Sequence, residues 1–194
     1  MFTSAETTVM PRRLPGDLAM WFFILAELSV FALLMLAFIV AQALYPQIFS
    51  EGRQLLERST GLAMTLSLLT AGLFAALALE QVKLDQPRRG ALFLCVALLF
   101  ASSYVGIKLT EYAHLSASGL GLEHNTFFTL YWILTAFHFL HVLLGMVILG
   151  WLADGCRRRR YGSRQYSGLE SGVLYWHMVD LVWVLLFPLV YILD

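Results

Sequence analysis

The sequence predicts an all-α, polytopic membrane protein built as a bundle of five transmembrane helices. Three observations predict it. Of the 194 residues 59% are hydrophobic and 13% are charged, with a mean hydropathy of +0.73. A soluble domain carries about a quarter charged residues. Five long apolar segments follow one another, each near the ~20 residues that cross a bilayer as a helix. Basic residues gather on alternate connections between them. Helices are the required element, because a lone strand leaves its backbone polar groups unsatisfied in lipid.

The spans are placed at 17–44, 60–80, 90–112, 126–153 and 171–193. The first contains W-F-F-I-L-A-E-L-S-V-F, residues 21–31, an apolar run broken by Glu27. It is too long for the core of a signal peptide and no cleavage site follows it, so it is expected to remain in the mature protein. The second span carries Ala71, Gly72 and Ala75, small residues suited to close helix approach. The third holds Cys95 and ends with Lys108 and Glu111 one turn apart; the fourth holds His138 and His141. The fifth holds His177 and Asp180, with Glu170 near its mouth. Connections are short and no internal repeat is visible, so residues 1–194 read as one transmembrane domain.

Ten basic residues lie on one side of the membrane. They are Arg12 and Arg13, then Lys83, Arg88 and Arg89, then Arg157, Arg158, Arg159, Arg160 and Arg164. The other side has Arg53 and Arg58. The positive-inside rule then puts the N-terminus in the cytoplasm and the C-terminus outside. An arginine run beside a span reads as a topology and anionic-lipid signal rather than as a nucleic-acid site. The two cysteines, Cys95 and Cys156, form no C-x-x-C, haem-attachment or cluster motif, and no phosphate-binding glycine loop is present.

The polar residues within the spans carry the functional question. At 1.5 Å per residue, Glu27, His138, His141, His177 and Asp180 all fall roughly 10–20 Å from the basic face. The i, i+3 spacings of His138/His141 and His177/Asp180 put each pair on one helix face, so spans one, four and five are expected to turn these faces inward. Three readings stay open on spacing alone. The residues ligate a metal or haem, relay protons through a transporter, or form a buried polar network with Glu170 that fixes helix packing. Lys108 and Glu111 read separately, as an outer-interface ion pair with the lysine snorkelling outward.

The stretches M-W-F-F-I-L-A-E-L-S-V-F-A-L-L (20–34), K-L-T-E-Y (108–112), the run from T-F-F to A-F-H-F-L-H-V-L-L-G (126–145) and L-E-S-G-V-L-Y-W-H-M-V-D-L-V-W-V-L-L-F (169–187) resemble subunit III of the haem–copper oxidase superfamily, in a five-helix form. Within it, P-G-D-L-A-M-W-F-F-I-L-A-E-L-S-V-F (15–31) looks most like the accessory member associated with bacterial nitric oxide reductase. The resemblance implies a non-catalytic accessory subunit with no haem, copper or other cofactor, no catalytic residue and no metal ligand. It implies a catalytic partner subunit, of a nitric oxide reductase or alternatively of an oxygen-reducing terminal oxidase, and contact with membrane lipids. It implies that Glu27 is the family's carbodiimide-reactive glutamate, and that His138, His141, Glu170, His177 and Asp180 are structural polar contacts. On this reading His177 and Asp180 lock the fifth span to the fourth.

Overall fold

The computed structural model describes residues 17–193. Arg12 and Arg13 of the basic-residue pattern, Pro15 and Gly16 of the 15–31 stretch, and Asp194 lie outside the described residues. Six helices run in order: α1 (Leu18–Leu44), α2 (Pro46–Gln54), α3 (Arg58–Lys83), α4 (Pro87–Ala117), α5 (Thr126–Arg157) and α6 (Ser167–Tyr191). All but α2 are long and apolar enough to cross a membrane, and there is no strand among the described residues. The spans expected from sequence are therefore present as α1, α3, α4, α5 and α6, with ends shifted by up to five residues.

The first connection, expected only to be short, contains a helix of its own, α2. This helix is short and opens on Pro46, which suits a first helical position. Phe49 buries itself edge-on against Phe38 of α1 and Phe127 of α5, with ring centroids 5.0 and 5.4 Å apart.

Small residues set the tightest pairing. Ala71, Ala75 and Ala78 of α3 and Gly90, Ala97 and Ala101 of α4 are all buried. A Cβ at Gly90 would stand 2.7 Å from Val82 Cγ2 and 3.1 Å from the Ala78 carbonyl oxygen, so a side chain there would push on α3 where the two helices approach closely. The start of α5 is fixed by Asn125, whose side chain accepts from the Phe128 N–H at 2.9 Å.

The helix buried most is α6, which touches α1, α3 and α5. At the edge, α1 meets the bundle along a stripe of Ile24, Phe31 and Phe38, every seventh residue, and leaves Phe22, Leu25, Leu33, Leu36 and Ile39 exposed. An exposed apolar surface on a membrane-spanning helix is stable against lipid or another subunit.

Candidate functional site

The intramembrane polar side chains divide among four places rather than one. Glu27 and His141 meet where α1, α5 and α6 join. His141 Nε2 lies 3.0 Å from Glu27 Oε2, and His141 Nδ1 lies 2.8 Å from the Phe137 carbonyl. A carbonyl only accepts, so Nδ1 carries a proton. The Nε2 contact then holds one shared proton, carried by a neutral acid facing imidazole or by imidazolium facing carboxylate. Phe31 and Phe137 wall the ring at 5.1 and 4.6 Å, and the Tyr175 hydroxyl donates to the His141 carbonyl at 3.3 Å.

His138, one turn away, faces elsewhere. It is fully buried, stacked on Trp183 at 5.1 Å and met edge-on by Tyr104 at 6.1 Å. Neither ring nitrogen has a hydrogen-bond partner among the described residues.

Asp180 is turned toward α3, directly over Gly72, where any Cβ would collide with its carboxylate. The His177 ring stands 3.8 Å from Asp180 Oδ2, longer than a hydrogen bond. His177 is 44% exposed along its side chain and lines a hollow of about 230 Å³ with Glu80 and Glu170. The expected lock between the fifth and fourth spans is thus corrected. His177 and Asp180 address α3, and α6 meets α5 through Trp183, Tyr175 and Trp176 instead.

Lys108 is also corrected. It does not snorkel; it is 0% exposed. Its ammonium donates to Glu111 Oε2 at 2.6 Å and to the hydroxyls of Tyr131 and Tyr191 at 3.1 and 3.2 Å. Tyr191 in turn donates to Glu111 at 2.8 Å. The rings of Tyr112, Tyr131, Trp183 and Tyr191 stand 4.8–5.8 Å from the ammonium. A buried cation with a paired carboxylate, two hydroxyls and aromatic faces is well compensated. This ties α4, α5 and α6 together.

Residues 6–194 match the family model described as cytochrome c oxidase subunit III. The chain belongs to the cytochrome c oxidase subunit III family. It is similar to the cytochrome c oxidase subunit 3 of Thermostichus vulcanus, 28% identical over 172 residues that cover 88% of this chain and 84% of the relative. It is likewise similar to a probable quinol oxidase subunit 3 of Staphylococcus aureus (strain USA300), 27% identical over 178 residues that cover 92% of this chain and 89% of the relative. Subunit III proteins are, in general, non-catalytic partners of a catalytic oxidase subunit, and the multi-pass helical architecture here is of that type.

In this subunit III chain no group of three or more His, Cys, Asp or Glu stands close enough to hold a metal ion among the described residues. The four expected histidine and aspartate positions on α5 and α6 serve three different neighbours, so H-x-x-H and H-x-x-D do not converge. The sequence did not single out Tyr131, Tyr191 and Tyr104, and it marked Gly72 as a close-packing residue without naming Asp180 as its neighbour. Tyrosines among apolar residues looked like ordinary span residues. A signal for the first two was available: a lysine that turns inward near a span end requires acceptors, and hydroxyls on neighbouring helices can supply them.

Proposed function

We propose that the chain is a non-catalytic accessory subunit of a haem–copper-superfamily respiratory complex. It packs in the membrane against the catalytic subunit and supports that subunit's assembly, stability or activity. The observation that carries this reading is the family match over residues 6–194. The exposed apolar side of α1 supports it, offering Phe22, Leu25, Leu33 and Leu36 to lipid or to a neighbouring helix. The intramembrane histidines engage Glu27, Trp183 and the α3 face, in keeping with packing roles for Glu27, His138, His141, Glu170, His177 and Asp180.

The partner we infer is a nitric oxide reductase, on the resemblance of residues 15–31 to the accessory member associated with that enzyme. A second reading, subunit III of an oxygen-reducing terminal oxidase, is favoured by the oxidase and quinol oxidase relatives. The site we propose is a bacterial inner membrane, with the N-terminus cytoplasmic and the C-terminus periplasmic.

Affinity capture of the tagged chain from native membranes in mild detergent tests the assignment. A haem–copper catalytic subunit should co-purify. Nitric oxide and oxygen consumption, compared between wild-type and deletion cells, separates the two partners: the affected activity should fall without vanishing. Capture that returns no such subunit, with both activities unchanged in the deletion, would overturn the reading.

A further inference from the structure

At the arginine-rich end of the bundle, the α3–α4 connection and the α5–α6 connection border an open hollow of about 890 Å³. Arg88, Arg89, Arg159, Arg160 and Arg164 line it, with Asp85 as the acidic member of the lining. None of these five arginines forms an ion pair among the described residues. By contrast Arg157 and Arg158, from the same run, both reach Asp154, at 3.4 and 2.7 Å, and do not line the hollow. The two connections are clipped together where the Ser163 N–H donates to Asp85 Oδ1 at 3.3 Å.

The hollow also receives a helix start. Pro87 opens α4 and no side chain caps it. The N–H groups of Arg88 and Arg89 therefore have no acceptor within the α4 ladder. Backbone N–H groups at a helix start, with the positive end of its dipole, form an anion site. Several guanidinium groups in one hollow repel one another until an anion enters, and their planar forks match phosphate oxygens.

We propose that this hollow binds a phosphate anion, and that the phosphate is the head group of an acidic phospholipid. Four membrane-spanning helices end or begin around it, which is the depth at which head groups lie. Leu84 and Leu92, exposed on either side of the α4 start, give apolar surface for acyl chains.

The full chain in mild detergent is titrated with short-chain phosphatidylglycerol, short-chain phosphatidylcholine and inorganic pyrophosphate. Binding is read by native mass spectrometry and thermal unfolding. Phosphatidylglycerol should bind one-to-one and phosphatidylcholine should not compete. Arg88→Gln/Arg89→Gln and Arg160→Gln/Arg164→Gln should each weaken binding about tenfold or more, while Arg157→Gln/Arg158→Gln, which removes the same charge outside the hollow, should change it less than about twofold. Arg160→Lys/Arg164→Lys keeps the charge without the planar forks and should bind less tightly than the wild type but more tightly than Arg160→Gln/Arg164→Gln, with an unchanged unfolding midpoint in the absence of lipid, which separates lost recognition from lost folding. Binding of pyrophosphate alone, lost in the same variants, keeps the phosphate site but assigns it to a soluble ligand and overturns the lipid assignment. Equal weakening in Arg157→Gln/Arg158→Gln, or no preference for either anionic probe over zwitterionic phosphatidylcholine, overturns the proposal.

Discussion

Gly72 on α3 lies directly under the carboxylate of Asp180 on α6, in the space a side chain would fill. The His177 ring nitrogen Nδ1 would stand only 3.4 Å from a Cβ at the same place. A polar pair that reads in sequence as a contact between spans four and five is in fact seated on span two. Asp180 is 5% exposed, so the glycine and the aspartate share one closed space.

Gly72→Ala should therefore destabilise the protein by about 1–3 kcal/mol, the usual cost of overpacking. Asp180→Ala in the same chain should recover part of that loss, because it removes the group the new methyl strikes. A double-mutant cycle in detergent unfolding measures the coupling. A neutral Gly72→Ala would mean that α3 and α6 are further apart than described.

Lys108→Met leaves Glu111 buried beside two phenols with no cation. Breaking a buried ion pair from one side costs about 3–5 kcal/mol. Lys108→Met/Glu111→Leu removes both charges and should be less unstable than Lys108→Met alone. Unfolding midpoints of the two variants decide the matter, and the order reversed would show that the ammonium is not paired as described.

Glu27→Gln keeps a side chain of the same length that can still hydrogen-bond to His141 Nε2. It should fold, assemble and support whole-cell activity, while carbodiimide labelling disappears. Asp180→Leu puts a bulkier, branched side chain over Gly72 and should harm assembly more. Should Glu27→Gln abolish activity in an assembled complex while Asp180→Leu is silent, Glu27 would be a working proton site instead of a packing contact.

His138→Ala opens a cavity between Tyr104 and Trp183 and should cost about 2–5 kcal/mol, in the range of large-to-small core changes. The purified chain is expected to show no Soret band and no stoichiometric iron, copper or zinc. One-to-one metal content lost in His138→Ala or His177→Ala would favour a ligand role.

A reporter active only outside the cytoplasm should work when fused after Asp194 and fail when inserted between residues 157 and 164. Ten basic residues against two set this expectation. The opposite pattern would invert the proposed orientation.

Much of the fold was legible because lipid imposes so few solutions. A run of about 20 apolar residues must become a helix, and five such runs did. Of the i, i+3 pairs, His177 and Asp180 both turn to α3, whereas His138 and His141 meet different helices, because one turn of offset is enough to change neighbours in a packed bundle. The short α2 was missed because nine mixed residues carry no span signal; it is held by Phe49 against Phe38 and Phe127, two residues from other helices.

By itself, then, the sequence determined the all-α membrane class, the number of spans, the family and the set of polar side chains that the bilayer makes costly. Tertiary structure alone decided which helix each of them meets. Glu27 found His141 across 114 positions. Lys108 turned inward because Tyr131 and Tyr191 offered hydroxyls, and Asp180 turned to α3 because Gly72 left room. Periodicity states which face a residue occupies. Only the three-dimensional fit of small and large side chains between helices selects the neighbour that faces it.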